Sequence, residues 1–253
     1  MQDTFKNKLA RQELLVGTIM TLPSPEIAEI LCGAGFDWLF VDLEHSALSI
    51  KNAQVILQVA ASQVHCVVRI PLNDEVWIKK ALDIGASGII VPLVRTAEEA
   101  QRAVRQCKYP PEGLRSVGIG RAHGYGEKFQ EYIASANDET AVIIQIEHID
   151  AVDNIEKILK VSGVDGLFVG PYDLSASMQK LGLVNDAEVQ KAISHVKRCA
   201  AQAKMPIGIF GATAEAVKPY IESGYTLIAA GMDTLLLGSA AKNTTSQLRK
   251  GVE

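Results

Sequence analysis

Long apolar runs, cysteine pairs and a basic excess are all missing from this 253-residue chain. Each absence closes a class of function. No apolar stretch is long enough to cross a bilayer, and Met1-Gln2-Asp3-Thr4-Phe5-Lys6 lacks the apolar core of a signal peptide. The four cysteines, at 32, 66, 107 and 199, form no CxxC pair and sit inside apolar segments. They read as buried reduced thiols rather than disulfides or a thiolate metal site. A net charge of −4 and a pI near 5.8 leave no electrostatic footprint for DNA or RNA. The expectation is a soluble cytoplasmic protein with neither a nucleic-acid nor a membrane partner.

Several catalytic signatures are missing as well. There is no Gly-x-Ser-x-Gly elbow, no defensible Cys-His pairing, and no GxGxxG that follows a strand and opens a helix.

What is present is a rhythm. Ala34-Gly35-Phe36-Asp37, Ile84-Gly85-Ala86-Ser87, Ser162-Gly163-Val164-Asp165 and Ser223-Gly224-Tyr225-Thr226 each read as a helix-ending glycine followed by a buried apolar run. Counting such runs predicts eight strands, near 15–21, 38–43, 66–71, 88–93, 141–147, 166–170, 206–210 and 226–230, with helical patterns between them. The strands are almost continuously apolar, so the sheet is parallel and covered by helices. Eight units, 48% hydrophobic residues and this length predict one domain over 1–253, a (β/α)8 TIM barrel rather than an open doubly wound sheet. None of the eight strands contains a lysine, which closes the Schiff-base route to aldol chemistry.

In such barrels the chemistry sits at the carboxyl ends of the strands. Reading those ends gives Asp42, Glu44 and His45; Arg69; Gln145, Glu147 and His148; Asp173; and Phe210. Gln145 and Glu147 are two apart on one strand and share a face. Glu147 and Asp173 leave neighbouring strands one βα unit apart, which suits a hard divalent cation. The alternative is a helix cap and a solvated loop acid. His45, following two acids, suits proton transfer. Arg69 is costly to bury alone. It either pairs with Glu44 or Glu147 or faces an anionic substrate oxygen, and the second is preferred. The glycine-rich stretch between Tyr109 and Asn137 is too long for an ordinary connection and is expected over the carboxyl end of the barrel.

Phe40-Val41-Asp42-Leu43-Glu44-His45, Val68-Arg69-Ile70-Pro71, Gln145-Ile146-Glu147 and Val169-Gly170-Pro171-Tyr172-Asp173-Leu174-Ser175 resemble, in order and spacing, the HpcH/HpaI aldolase family. The likeness runs from Gly17 to about Leu237. It implies a metal-dependent (class II) pyruvate aldolase cleaving 4-hydroxy-2-oxo acids or 2-keto-3-deoxy sugar acids. It also implies Mg²⁺, Mn²⁺ or Co²⁺ held by Glu147 and Asp173, and an enolate stabilised by Arg69. His45 would be the base, oriented by Asp42. Gln145, Gly170, Pro171 and Asp173 would contact pyruvate, and Phe210 would shape the aldehyde pocket. The family assembles as hexamers in which an acid at the position of Asp83 reaches a neighbour's site. His148 and the 118–126 loop depart from the sugar-acid enzymes, so the acceptor aldehyde is left open. A CoA-thioester lyase of the citrate lyase beta or malyl-CoA type, lacking a basic track here, and a non-catalytic keto-acid binder are the competing readings.

Overall fold

Each predicted strand begins just after a helix has been stopped, and the backbone shows how. Gly35, Gly85, Gly163 and Gly224 all have φ between +88° and +91°, a left-handed conformation that only glycine adopts without strain. The computed structural model describes residues 3–250; Met1, Gln2 and residues 251–253, part of the expected 1–253 unit and of the start read for a signal peptide, lie outside the described residues.

In chain order the elements are α1 (Phe5–Ala10), β1 (Leu15–Met20), α2 (Pro25–Gly33), β2 (Trp38–Asp42), α3 (Ile50–Ala60), β3 (His65–Arg69), α4 (Glu75–Asp83), β4 (Gly88–Val91) and α5 (Ala97–Cys107). After a 3-10 segment at Arg121–Gly126 come α6 (Phe129–Glu139), β5 (Ala141–Ile146), α7 (Ile149–Asp153), α8 (Ile155–Ile158), β6 (Gly166–Val169) and α9 (Pro171–Ser177). The chain ends with α10 (Ala187–Gln202), β7 (Ile207–Gly211), α11 (Ala214–Glu222), β8 (Leu227–Met232) and α12 (Asp233–Arg249). The strands pair in sequence order, all parallel, and β8 closes on β1. The (β/α)8 barrel expected from the glycine punctuation is therefore the observed fold. Helix starts are capped by side chains: the Ser24 side chain accepts from the Ile27 N–H ahead of Pro25, and Thr96 forms a capping box with Glu99. Between β5 and β6 the helical segment is broken in two at Asn154.

Side-chain alternation puts every second strand residue inside the barrel. On β2 these are Trp38, Phe40 and Asp42. Trp38 stacks on Phe40 at 5.8 Å between centroids, and Phe40 meets Phe168 edge-on at 5.5 Å. Below them α1 plugs the amino-terminal end, where Phe5 packs on Trp38 and His65. The interior is thus a filled apolar column, and its carboxylates and guanidinium lie above Phe40.

The column fixes some glycines by size. A Cβ on Gly17 would lie 2.5 Å from both the indole nitrogen and the carbonyl oxygen of Trp38. Gly17→Ala is expected to destabilise the protein by about 2–3 kcal/mol, the upper range for overpacking a core. Urea unfolding measures it, and an unchanged midpoint would refute the close-packed column.

Among the described residues no helix is long and apolar enough to cross a membrane. The last helix, α12, carries exposed Leu235, Leu236, Leu237 and Leu248, and every residue from Thr234 to Lys250 is exposed.

Candidate active site

The parallel strands deliver their carboxyl ends to one rim. Asp42, His45, Arg69, Gln145, Gly170, Pro171, Asp173 and Phe210 all line a single cavity of about 200 Å³, walled by Ile19, Phe40, Phe168, Tyr172 and Met232. A larger groove of about 800 Å³ between α10 and α11 meets this mouth at Pro171, Tyr172 and Phe210. Glu215 is its only carboxylate, so the acid-rich chemistry belongs to the smaller cavity.

The β2–β3 register sets Asp42 beside Arg69. Arg69 Nε donates to Asp42 Oδ1 at 2.8 Å and Nη2 to Oδ2 at 2.6 Å, a two-pronged bond between groups that are 8% and 1% exposed. Burial pulls the Arg69 pKa down, but the bonds and charge of Asp42, with Glu44 and Glu147 beyond, outweigh it and hold the guanidinium above its ordinary range. Arg69 also lies over the Phe40 ring, 5.1 Å from its centroid. Glu44 and Glu147 are the partners the sequence suggests for Arg69, and its Nη1 does lie 3.2 Å from Glu44 Oε2. Arg69 is bonded to Asp42 and still lines the cavity.

Asp42 also holds the backbone beside it. Its Oδ1 also accepts the backbone N–H groups of Glu44 (3.0 Å) and His45 (3.4 Å), folding the turn after β2. None of its oxygens bonds the His45 ring. The carboxylate nearest that ring is Glu44, with Oε2 3.7 Å from Nε2. Burial drives the Glu44 carboxyl up to about 7, with Arg69 opposing and Glu147, Asp42 and Asp173 adding to the rise.

Gln145 and Glu147 do share a face. Glu147 is 3% exposed; its Oε2 accepts from Gln145 Nε2, and its Oε1 accepts the Leu93 N–H at 2.7 Å. Leu93 has φ +58°, an unusual conformation for a leucine, at the point where Glu147 takes its N–H. Burial raises the Glu147 pKa; the Leu93 and Gln145 bonds lower it, Asp173 raises it and Arg69 lowers it. A Cβ on Gly170 would fall 2.9 Å from Glu147 Cβ and 3.2 Å from its Oε2, so a glycine is what lets Glu147 stand there. Asp173, in the first turn of α9, is exposed at the rim.

Asp42 and Glu44 thus contact one guanidinium, with Glu147 acting on it from farther off and Asp173 on the same cavity. Asp42 is committed to Arg69. Glu147 and Asp173 are left as hard oxygen donors in a site short of positive charge, which fits Mg²⁺, Mn²⁺ or Co²⁺. Among the described residues no three His, Cys, Asp or Glu side chains form a closed metal cage. A cation on this pair would complete its shell from water and substrate, as an open catalytic site requires.

Three sequence candidates lie elsewhere or act locally. His148 caps α7, its Nδ1 accepting the Asp150 N–H at 3.1 Å. Asp83 closes α4 at the amino-terminal end of the barrel, where its Oδ1 accepts from Arg115 Nη2 at 2.7 Å, so it does not reach this chain's own cavity. The 109–137 stretch, expected over the carboxyl end, lies at the amino-terminal end as well. Arg121 donates to the carbonyls of Ile84 and Leu57, which face that end from α4 and α3. The reason is direction: β4 rises to the rim, α5 descends, and whatever follows α5 starts below. Besides the apolar walls Ile19, Phe40, Phe168, Tyr172 and Met232, the sequence did not flag Leu93, because its role rests on a backbone N–H.

The family model for HpcH/HpaI aldolase/citrate lyase matches residues 17–240. The chain belongs to that family. It is 42% identical to a 4-hydroxy-2-oxo-heptane-1,7-dioate aldolase of Klebsiella pneumoniae over 96% of this chain and 92% of that one. It is 36% identical to a hydroxypyruvate/pyruvate aldolase of Roseobacter denitrificans over 98% of each. Among solved structures, an HpcH/HpaI aldolase/citrate lyase family protein of Burkholderia cenocepacia matches with a TM-score of 0.93 and 36% identity, over 96% of this chain and 98% of that one.

Proposed function

We propose that this family member is a divalent-cation-dependent pyruvate aldolase, reversibly cleaving a 4-hydroxy-2-oxo acid to pyruvate and an aldehyde. The observation that carries the reading is one mouth lined by Asp173, a buried guanidinium and an open imidazole, with Glu147 bonded to Gln145 of the same lining. In the cleavage direction the C4 hydroxyl gives up its proton and the C3–C4 bond breaks. The bonding pair passes to the C2 oxygen as the pyruvate enolate, the aldehyde leaves, and a proton returns to C3. Arg69, held rigid by Asp42, is the fixed positive charge for the enolate oxygen. His45 moves the proton. Gln145, with the backbone around Gly170, Pro171 and Asp173, orients the keto acid. The cation, when bound, supplies the Lewis acid that polarises the keto carbonyl.

The apolar wall of Phe210, Tyr172 and Met232 sets the acceptor side of the cavity. A 4-hydroxy-2-oxo diacid or a 2-keto-3-deoxy sugar acid is the substrate class. The protein is read as a single-domain, cytoplasmic enzyme, a compartment consistent with its free cysteines. The exposed leucines of α12, and an Asp83 that serves no site in its own chain, support a homo-oligomer, a hexamer by family resemblance.

Exchange of pyruvate methyl protons in D2O, followed by NMR, tests the proposal without a choice of aldehyde. Chelator-stripped protein is expected to exchange at the background rate and to regain exchange with Mg²⁺, Mn²⁺ or Co²⁺. Folded protein that exchanges with none of them would sink the aldolase reading and favour a keto-acid binder.

A further inference from the structure

The reaction mouth and the long groove beside it share three residues, Pro171, Tyr172 and Phe210. β6 and β7 are neighbours in the barrel, so the start of α9 sets Tyr172 beside Phe210 at the end of β7. Their ring centroids are 6.5 Å apart and tilted by 50°, within the contact range of aromatic pairs, which leaves no passage for an alkyl chain between them. The backbone under Tyr172 is pinned. Buried Ser175 donates its hydroxyl to the Tyr172 carbonyl at 2.6 Å and accepts the Gly182 N–H at 3.1 Å. The Tyr172 ring itself is 45% exposed. On the near side of the pair the mouth holds about 200 Å³, below the roughly 300–1,000 Å³ of ordinary ligand sites. On the far side the groove holds about 800 Å³. We propose that Tyr172 is a specificity-determining residue, a ring that closes the mouth off from the groove and so limits the acceptor aldehyde to a short one.

The proposal rests on the aldolase reading and adds the acceptor's size and charge to it. On that reading the pyruvate half takes the polar side with Arg69 and Gln145, and C4 with its substituent falls to the apolar side, where Tyr172 and Phe210 stand. Each further methylene then presses on the ring pair, a cost of the kind that overpacking a core incurs. What lies behind the pair sets the charge. Glu215, in the first turn of α11 directly after β7, is the charged side chain of the groove nearest the mouth. The cations of the groove lie at its other end. Lys197 donates to the Gly224 carbonyl at 2.9 Å, past the far end of α11, and Arg198 follows it on α10. An uncharged chain that crosses the pair meets no opposing charge, whereas a terminal carboxylate meets an acid first. The two features together favour a short, uncharged acceptor over the diacid.

Condensation of pyruvate with aldehydes of graded length tests this on the full-length protein with Mn²⁺, scored as ratios of kcat/KM. The wild type is expected to prefer propanal to hexanal by about tenfold or more, the scale on which a closed pocket rejects added methylenes. Tyr172→Ala is expected to bring that ratio within about threefold through a gain on hexanal, whereas Tyr172→Phe, which keeps the ring, is expected to hold the wild-type ratio. Adipic semialdehyde has the length of hexanal and a terminal carboxylate. It is expected to lag behind hexanal in Tyr172→Ala and to follow it once Glu215→Lys is added. A wild type that takes propanal and hexanal equally, an unchanged ratio in Tyr172→Ala, or the same shift in Tyr172→Phe would overturn the assignment. An equal gain for hexanal and adipic semialdehyde in Tyr172→Ala would overturn its charge. Methyl exchange of pyruvate in the same wild-type preparation keeps the two failures apart. Its absence sinks the aldolase reading, and its presence beside a length ratio that Tyr172→Ala leaves alone sinks only the role of Tyr172.

Discussion

Glu147→Gln is expected to cut cation-dependent exchange of pyruvate by roughly a thousandfold, because a Lewis acid supplies several kcal/mol of charge stabilisation. The substitution is a narrow one. A glutamine oxygen can still accept the Leu93 N–H that Glu147 Oε1 takes at 2.7 Å, so the loop after β4 keeps its anchor. What goes is the charge, with the Gln145 amide turning so that its unpartnered Oε1 accepts from the new amide. Mn²⁺ binding, measured by calorimetry or by EPR, is expected to weaken at least tenfold while the melting temperature stays close to wild type. If Glu147→Gln binds Mn²⁺ and exchanges pyruvate like the parent, Glu147 is a structural acid and the cation belongs elsewhere.

Arg69→Lys is expected to cost about 10²–10³-fold in exchange at saturating pyruvate, the scale on which a single preorganised donor to a developing oxyanion is lost. Lysine keeps the charge but not the fork. Arg69 gives Nε and Nη2 to the two oxygens of Asp42 and still presents Nη1 toward Glu44. An ammonium is one point charge and cannot occupy all three positions. Arg69→Met separates chemistry from stability, since it strands the buried Asp42 carboxylate and should cost about 3–5 kcal/mol of folding free energy. Thermal melts beside exchange rates check both. Exchange in Arg69→Lys within threefold of wild type would remove the guanidinium from the mechanism.

The sequence made the barrel legible for a physical reason. A parallel strand covered on both faces must be apolar throughout, and each return needs a residue that tolerates positive φ, so Ile143-Ile144 and Gly85 mark their places in one dimension. The rim residues were legible because strand ends can be counted. Partnership was not. Asp42 pairs with Arg69 rather than with the nearby His45 because the β2–β3 ladder sets residues 27 apart side by side, and register is a three-dimensional quantity. The break at Asn154 had no proline or glycine to announce it. The 109–137 stretch was misplaced because its composition says nothing about which way the preceding helix runs.

The surplus of acids around Arg69 bears on the order in which the mouth fills. On the proposed reading, a keto acid arriving first would meet Asp173 and Glu147 uncompensated, while a cation arriving first would convert the same rim into an anion receptor. Each ligand therefore strengthens the other, and by thermodynamic reciprocity the factor is the same in both directions. Where the cation is scarce, the concentration of keto acid sets how much of the protein is loaded. On that reading the acid-rich rim would make occupancy cooperative between two unlike ligands.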